Sequence, residues 1–429
     1  MSLASGAWCD AERVVANLRL GRNHRMGLRP RKLFRRSLAQ RVPLRHDPPM
    51  NPIYASLGTT IFEAMSARAR ETGAINLGQG FPDGRGPEDV LAEAARALLE
   101  DSNQYPPMPG TAALRQAVAD HYHVHQGLDL SPQEVIVTSG ATEALAAAIF
   151  ALVSPGDEVV MFQPLYDAYL PLVERAGGVA RLVRLEPPEW RITAEALAAA
   201  AGPRTRLLIL NNPLNPTGTM LMAEELSLLA DFCISHDAIA ICDEVWEHVV
   251  FDGASHRPLI GVPGMRERTV KIGSAGKIFS LTGWKVGWMC AAPPIAQVLA
   301  KAHQFLTFTT PPNLQAGAAY GLGKDPAYFT QMRAGYQRSR DRLASGLEKL
   351  GYAVLPSAAT YFLAIDLPRS GVNMDDVTFC NWLIEEAGVV SVPFSAFYAK
   401  DPVTSVVRLC FAKQDSTLDA ALERMMKRP

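Results

Sequence analysis

The sequence has no long apolar run and no closely paired cysteines. No stretch of about 18 residues is both apolar and free of charge, which argues against a membrane-spanning helix. Six cysteines occur in 429 residues and none is spaced as CxxC: Cys9, Cys233, Cys242, Cys290, Cys380 and Cys410. This spacing disfavours a disulfide framework and a zinc site. We therefore expect reduced, buried thiols in a cytoplasmic protein that binds no metal.

Excess positive charge is missing from most of the chain. Residues 1–49 hold eleven Arg and Lys against three Asp and Glu, although the whole chain has a net charge of −1. The rest is therefore negative by about nine charges, and we expect it to bind no nucleic acid.

The basic segment 1–49 also lacks the apolar stretch of a secretory signal. Three interpretations stay open: an Arg-rich transit peptide, a solvated nucleic-acid-binding arm, or untranslated upstream sequence with Met50 as the true start. We favour the third, and we expect this extension to be disordered or loosely attached.

From Glu134 onward, short apolar runs alternate with longer helical segments. The runs that we predict as strands are 134–138, 159–162, 206–210, 238–242 and 270–272. This alternation is typical of βαβ units and predicts an α/β domain whose mostly parallel sheet is covered on both faces. The apolar run 284–290 follows with almost no connection, so we expect an antiparallel strand there.

The pattern changes after about Pro311. Long amphipathic helices are predicted over 325–350 and 375–387, and strands over 361–365 and 406–410. A chain of 429 residues with 48% hydrophobic side chains can form two domains. We expect this part to be a second, α+β domain.

One lysine lies among small and hydroxyl-bearing residues. The segment 274–288, SAGKIFSLTGWKVGW, follows the apolar run 269–272. The small residues before Lys277 cannot cover it, and Lys285 adds a second cation eight residues later. An amine in this setting can reach a bound aldehyde. On this segment alone, a surface lysine in a Gly/Ser loop is the alternative.

Two further segments carry polar groups at strand ends. Asp243 ends the apolar run 238–242, where open α/β sheets place ligand-binding groups. The run 207–210 leads into NNPLNPTG at 211–218, a turn with three amides, two prolines and a glycine. Taken singly, Asp243 could cap a helix and the Asn-Pro pairs could be ordinary turns.

Together these three segments resemble the pyridoxal-5′-phosphate (PLP) dependent aminotransferases of class I and II, which have the fold type I architecture. The similarity runs from about Ile53 to Leu422 and is greatest to the branch of kynurenine/glutamine transaminases and bacterial methionine aminotransferases. It implies a large PLP-binding domain over 81–312 with a mostly parallel, seven-stranded sheet. The smaller α+β domain would be discontinuous, formed by 50–80 and 313–429, and 1–49 would be the extension.

The resemblance implies a protein partner for each reactive group of PLP. Lys277 would bind the aldehyde and then move the proton at Cα as general base and acid, while Asp243 would pair with the pyridine nitrogen. The turn 139–142 joins a strand to a helix, a favourable anion site. The remaining implied contacts are Ala141, Thr142, Ser274 and Lys285 at the phosphate, Tyr166 on the ring face and Asn215 at the phenolic oxygen.

Position 246 departs from the family pattern. Relatives usually carry tyrosine three residues after the aspartate, whereas this chain has Trp246 in the cofactor site. An indole N–H donates a hydrogen bond but cannot accept one. Whether residue 246 assists the phenolic oxygen is therefore left open.

Arg408 is the only charge in the run 406–411. Buried arginines are rarely unpaired, and a guanidinium can bind a carboxylate through two hydrogen bonds. By resemblance, Arg408 holds the substrate α-carboxylate together with Gly80 and Asn211. Tyr105 resembles the tyrosine that reaches the phosphate from a second subunit, which implies a homodimer.

The expected activity is transfer of an amino group from an L-amino acid to a 2-oxo acid by a ping-pong mechanism. A PLP-dependent C–S β-lyase uses the same cofactor contacts and is the alternative. A PLP-binding transcription regulator is disfavoured, because 49 residues without a clear helix pair are too few for a winged-helix domain. The branch suggests sulfur-containing, aromatic or glutamine-like donors, and residues 303–308 could line their pocket.

Overall fold

The computed structural model describes residues 50–429. The expectations for the extension 1–49 and for Cys9 concern residues outside this part. Within it, Cys233, Cys242, Cys290, Cys380 and Cys410 are buried free thiols, as predicted. No helix of residues 50–429 is both long and apolar enough to cross a membrane.

The helices are numbered here in chain order. They are α1 Pro52–Ser56, α2 Ile61–Thr72, α3 Glu88–Glu100, α4 Ala112–Gln126, α5 Gly140–Leu152, α6 Tyr169–Arg175, α7 Ala194–Ala200, α8 Ala223–Ser235, α9 Ala275–Ile278, α10 Pro293–Leu306, α11 Pro312–Leu322, α12 Pro326–Lys349, α13 Asp376–Trp382 and α14 Asp415–Arg424. A π-helical turn over Leu383–Ala387 continues α13. Short 3₁₀ turns lie at Pro132–Glu134, Leu259–Gly261, Arg266–Arg268, Thr282–Trp284, Pro368–Ser370 and Phe394–Phe397.

The strands are β1 Ile75–Asn76, β2 Val135–Thr138, β3 Glu158–Gln163, β4 Val179–Arg184, β5 Thr205–Asn211, β6 Ile239–Asp243, β7 Thr269–Ser274, β8 Gly287–Cys290, β9 Ala353–Val354, β10 Phe362–Asp366, β11 Val389–Val390, β12 Val392–Pro393 and β13 Val406–Cys410.

Seven strands form one mixed sheet in the order β2-β8-β7-β6-β5-β3-β4. Neighbours pair in parallel from β7 to β4, and β8 is antiparallel to both β2 and β7, as predicted for the run 284–290. The inner strands read as near-continuous apolar runs because both sheet faces are buried. The predicted α/β class and the seven-stranded sheet are confirmed.

Strand β4 at the sheet edge was not predicted. Its sequence, VARLVR, contains two arginines, and most of its side chains are at least partly exposed. An edge strand pairs on one side only and tolerates charge, which weakens its apolar pattern.

The other strands form two smaller sheets. The order β12-β13-β10-β9 gives an antiparallel four-stranded sheet, and β1 pairs in parallel with β11. Residues 75–76 thus pair with residues 389–390, far apart in sequence. Such pairing is expected of a discontinuous small domain, although the boundaries at 80 and 312 stay a prediction.

Candidate active site

One cavity lies at the C-terminal ends of β5, β6 and β7, and it encloses about 190 Å³. Most of the predicted site residues line it: Ala141, Thr142, Tyr166, Asn211, Asn215, Asp243, Trp246, Ser274, Lys277 and Lys285. Parallel strands end at the same sheet edge, so their terminal side chains meet there. Gly80, Tyr105 and Arg408 are the predicted residues outside this lining.

The junction of β2 and α5 forms a cationic corner of the cavity. Gly140 has φ +78°, and a Cβ there would lie 3.2 Å from Lys285 Cε and 3.3 Å from its Nζ. A Cβ at Gly287 would lie 2.9 Å from the nitrogen of Ala141. Glycines thus let the lysine and the neighbouring strand approach the first turn of α5. No Asp or Glu of residues 50–429 pairs with Lys285, which leaves its charge available to an anion.

Asp243 presents one carboxylate oxygen to this cavity. Its Oδ2 accepts a hydrogen bond from the Tyr169 hydroxyl at 2.7 Å, and its Oδ1 is buried without a partner among the described residues. Burial raises the pKa of Asp243, while the Tyr169 hydrogen bond and the charge of Lys277 oppose that rise. A protonated nitrogen at Oδ1 would supply both the missing donor and a stabilising charge.

Lys277 lies in α9, directly after β7. Burial lowers its pKa to about 8, the nearby Asp243 opposes this shift, and Arg408 and Lys285 add to it. Its Nζ lies 4.8 Å from the Trp246 ring centroid and donates to the Tyr361 hydroxyl at 3.3 Å. The amine is therefore half-buried and loses its proton more readily than an ordinary lysine, as a nucleophile or general base requires.

The two asparagines have different surroundings. Asn211 Nδ2 donates to the backbone oxygen of Asp243 at 2.9 Å, and its Oδ1 accepts from the backbone of Asn215 at 2.9 Å. Asn211 therefore ties the 211–215 turn to the end of β6. The Asn215 Oδ1 accepts from Arg408 at 2.9 Å, so its Nδ2 is the group left to donate.

Arg408 is buried in β13 next to the cavity, with 1% of its surface exposed. Its Nη2 donates to the Gly78 backbone oxygen at 2.8 Å, and its Nε has no partner among residues 50–429. No carboxylate of these residues pairs with it, and burial lowers its pKa to about 10. Three rings surround the guanidinium at 3.9 to 5.3 Å: Phe62, Phe362 and Phe397. An uncompensated buried cation costs several kcal/mol, which an incoming carboxylate would recover.

Gly80 packs against Phe362, the ring that also faces Arg408, whereas Tyr105 lies on the surface. The Gly80 backbone oxygen accepts from Tyr361 at 2.7 Å, and a Cβ at Gly80 would lie 2.6 Å from the Phe362 ring. Tyr105 is 83% exposed and its ring meets only that of Phe308 edge-on, at 5.5 Å.

The segment 303–308 does not line this cavity, and its suggested place in a donor pocket stays a prediction. His303 is buried and contacts Glu143 at 3.0 Å and the Met108 backbone oxygen at 3.1 Å, while Phe305 is 83% exposed.

Sequence reasoning missed several residues of the site, three of them polar. Thr282 lines the cavity, Tyr169 binds Asp243 and Tyr361 binds Lys277. Tyr169 and Tyr361 lie in apolar stretches, where a tyrosine is expected to be a core side chain. No signal in a single sequence separates them from such core tyrosines.

The residues fit PLP on two observations. The unpaired Asp243 Oδ1 matches a pyridine N–H, and the glycine-lined corner at Lys285 matches a phosphate. Lys277 and Tyr166 lie on the same cavity, where an aldehyde and a ring face would need them.

The family model for aminotransferase class I and II matches residues 72–425. The chain belongs to this family. A probable N-succinyldiaminopimelate aminotransferase of Mycobacterium tuberculosis is 44% identical, covering 86% of this chain and 95% of the relative. A kynurenine–oxoglutarate transaminase of Dictyostelium discoideum is 35% identical, covering 87% and 95%. A solved Escherichia coli structure described as having a methionine aminotransferase function is 40% identical, with a TM-score of 0.86, covering 89% of this chain and 100% of that one.

This aminotransferase is thus a PLP-dependent transaminase of fold type I, as predicted. The relatives are named for amino-group transfer, so the β-lyase alternative is not favoured.

Proposed function

We propose that this aminotransferase takes the amino group from L-amino acids with sulfur-containing, aromatic or glutamine-like side chains and gives it to a 2-oxo acid in a ping-pong cycle. The observation that carries this proposal is Arg408, a buried cation without a carboxylate partner in residues 50–429, near the half-buried amine of Lys277. Both substrates share an α-carboxylate, and the aromatic rings around Arg408 favour apolar side chains.

Some residues of the site bind the substrate or move the proton at its Cα. Bound PLP supplies an electron sink for the pair left when the α-proton departs. Arg408 holds the α-carboxylate. Asn211 holds the 211–215 turn in place, and Gly80 forms another part of the wall of the carboxylate site. Lys277 removes the α-proton and would return it to the carbon on the other side of the amino nitrogen, which the cofactor's aldehyde group provides.

The remaining residues hold the cofactor. Asp243 pairs with its ring nitrogen, Tyr166 covers its ring face, and Asn215 donates to its phenolic oxygen. The phosphate is bound by four groups of this chain: the amides of Ala141 and Thr142 and the side chains of Ser274 and Lys285. Trp246 supplies an apolar wall against Lys277 rather than an acceptor.

The second candidate donor is N-succinyldiaminopimelate, which is named in the relative at 44% identity. That donor carries further carboxylates, which need further cations. The cations that line the cavity in residues 50–429 are Lys277 and Lys285, and both are assigned to the cofactor. We therefore rank this donor second.

A donor panel separates these possibilities. L-Methionine, L-phenylalanine, L-kynurenine, L-glutamine and N-succinyl-LL-diaminopimelate would each be mixed with the loaded enzyme and followed by single-turnover absorbance. 2-Oxoglutarate and pyruvate would then be tested as acceptors. Fastest conversion of the succinylated donor would overturn our ranking, and release of pyruvate and ammonia from a cysteine conjugate without an acceptor would indicate β-lyase activity.

We further propose that the enzyme is a cytoplasmic homodimer in which Tyr105 reaches the partner's phosphate site. Its support is the exposed aromatic pair Tyr105 and Phe308, outside the chain's own cavity. Sedimentation at decreasing concentration, with activity measured in parallel, tests this. A fully active monomer would contradict it.

A further inference from the structure

The hydroxyl of Tyr361 joins the catalytic lysine to a backbone segment of the substrate site. It accepts from Lys277 Nζ at 3.3 Å and donates to the Gly80 oxygen at 2.7 Å. A carbonyl oxygen only accepts, so the single phenol proton is committed to Gly80. The lone pairs of the Tyr361 oxygen are therefore the groups that face the amine.

No other hydrogen bond orients the Lys277 amine within residues 50–429. Trp246 lies beneath it, with its ring centroid 4.8 Å from Nζ, and meets the Tyr361 ring edge-on at 4.3 Å. An indole offers no acceptor. Tyr361 thus fixes the direction of one N–H of the free amine and restricts its lone pair to the two remaining staggered directions.

The Gly80 end of this chain of contacts leads to the carboxylate site. Arg408 donates to the Gly78 oxygen at 2.8 Å, two residues from Gly80. The segment 78–80 packs closely, because a Cβ at Gly80 would lie 2.6 Å from the Phe362 ring. Lys277 and Arg408 are therefore both held to one short piece of backbone.

We propose that Tyr361 is a positioning residue for Lys277, whose amine it aims at the α-proton of a substrate held by Arg408. This inference rests on the proposed role of Lys277 as general base. The proton passes from Cα to Nζ, and the phenol keeps its own proton on the Gly80 oxygen.

Removing the Tyr361 hydroxyl also changes the pKa of Lys277. The other groups that act on its pKa are Asp243 from β6, Lys285 from the turn before β8, and Arg408 and Cys410 from β13. None of them changes in Tyr361→Phe. Loss of an acceptor that favours the ammonium form lowers the pKa of Lys277 further.

The test is Tyr361→Phe, with Tyr336→Phe as matched control. Tyr336 is a neighbouring tyrosine, with ring centroids 6.1 Å apart, but its hydroxyl contacts Ser280 at 2.6 Å and not Lys277. The phenylalanine ring keeps the packing against Trp246 and Phe362, and melting curves establish that each variant is folded.

We expect Tyr361→Phe to lower kcat by about 10- to 100-fold with KM changed less than about twofold, because an aiming group acts in the transition state. In the cofactor-free full chain, the Lys277 pKa should fall below its value in the parent protein. The pH dependence of reductive methylation, read at Lys277 by peptide mass spectrometry, measures it. The control should change neither quantity.

Unchanged kcat, or a lower kcat with an unchanged Lys277 pKa in the folded variant, would overturn the inference. Borohydride reduction of the PLP-loaded parent and variant distinguishes failure of the Tyr361 inference from failure of the proposed function. If the cofactor label is on Lys277 in both the parent and the Tyr361→Phe variant, the proposed function is still supported and only the positioning role of Tyr361 is refuted. A label on another lysine would remove the basis of both.

Discussion

Two lysines six residues apart, one fully buried and one half-buried, have opposite surroundings. Lys271 in β7 is fully buried, and its Nζ contacts Glu244 and, at 2.7 Å, Glu247 Oε2. Burial opposes its charge, but the two carboxylates outweigh burial and raise its pKa. At Lys277 burial prevails and lowers the pKa to about 8.

The difference shows what turns a buried lysine into a reactive one. Lys271 is locked as an ammonium ion inside an ion-paired network, which stabilises the sheet beneath the site. Lys277 faces a cavity with one carboxylate and two other cations nearby, so its neutral form is accessible. The residue types are the same, but Lys271 has two carboxylate partners and Lys277 forms no ion pair within residues 50–429.

The largest expected effect separates the two lysines by activity. Lys277→Met should lower turnover by about 10³-fold or more, because the nucleophile and base are lost together. Lys271→Met should keep its activity per folded molecule within about threefold, since it contacts no group of the cavity. Borohydride reduction and peptide mapping, with turnover per bound cofactor, check both. A cofactor label on Lys271 would reverse the assignment.

The same substitutions should change stability in opposite directions. Lys271→Met leaves two carboxylates buried without their cation and should destabilise the protein by about 3–5 kcal/mol. In the cofactor-free chain at pH 7, Lys277→Met should stabilise by up to about 3 kcal/mol, because it removes a cation that burial penalises.

The pH dependence follows from the sign of each shift. Lys277 has a folded pKa of about 8 against an ordinary value of 10.5, so its penalty is complete below pH 8 and fades as pH rises towards 10.5. The stabilisation expected from Lys277→Met should therefore decrease over the same pH range. Melting temperatures from pH 7 to 10 measure this, with Lys349→Met, an exposed lysine, as control. A loss of stability in both buried variants would contradict the comparison.

The sequence was enough to predict the sheet and most of the cavity. Parallel strands bury both faces and leave continuous apolar runs, and polar residues follow those runs at Asp243 and Asn211. Strand β4 was not predicted, because its edge position lets arginines interrupt the apolar pattern.

Partners of the predicted residues could not be found in the same way. Nothing in the sequence shows that Tyr361 lies against Lys277, 84 residues away, or that Lys271 meets Glu244 and Glu247. Such contacts depend on how strands and helices pack, which periodicity does not encode. Asn211 lines the cavity, but its hydrogen bonds to the turn appear only in the fold.

A buried arginine extends the comparison of paired and unpaired cations. Arg408→Lys keeps the charge but loses the planar fork, so it should raise KM for all amino and oxo acids together by about 10- to 100-fold. PLP absorbance should stay nearly unchanged. Arg340→Lys is the control, because Arg340 pairs with Asp252 through two nitrogens at the surface. A fall in melting temperature with unchanged relative affinities would show that Arg408 is structural.

The smallest expected effect concerns the hydroxyl that binds Asp243. Tyr169 donates to Asp243 Oδ2 and favours its charged form, which leaves Oδ1 free for the ring nitrogen. Tyr169→Phe removes this donor, raises the Asp243 pKa and should weaken PLP binding by about three- to tenfold. Because the carboxylate then protonates at higher pH, the variant should release PLP at a higher pH than the parent as the solution is acidified. Spectral titration with PLP across pH measures this. Tyr398→Phe, which removes a hydroxyl bonded to the Leu185 backbone oxygen, is the control. An equal loss in both variants would mean that Tyr169 acts through general stability and not through Asp243.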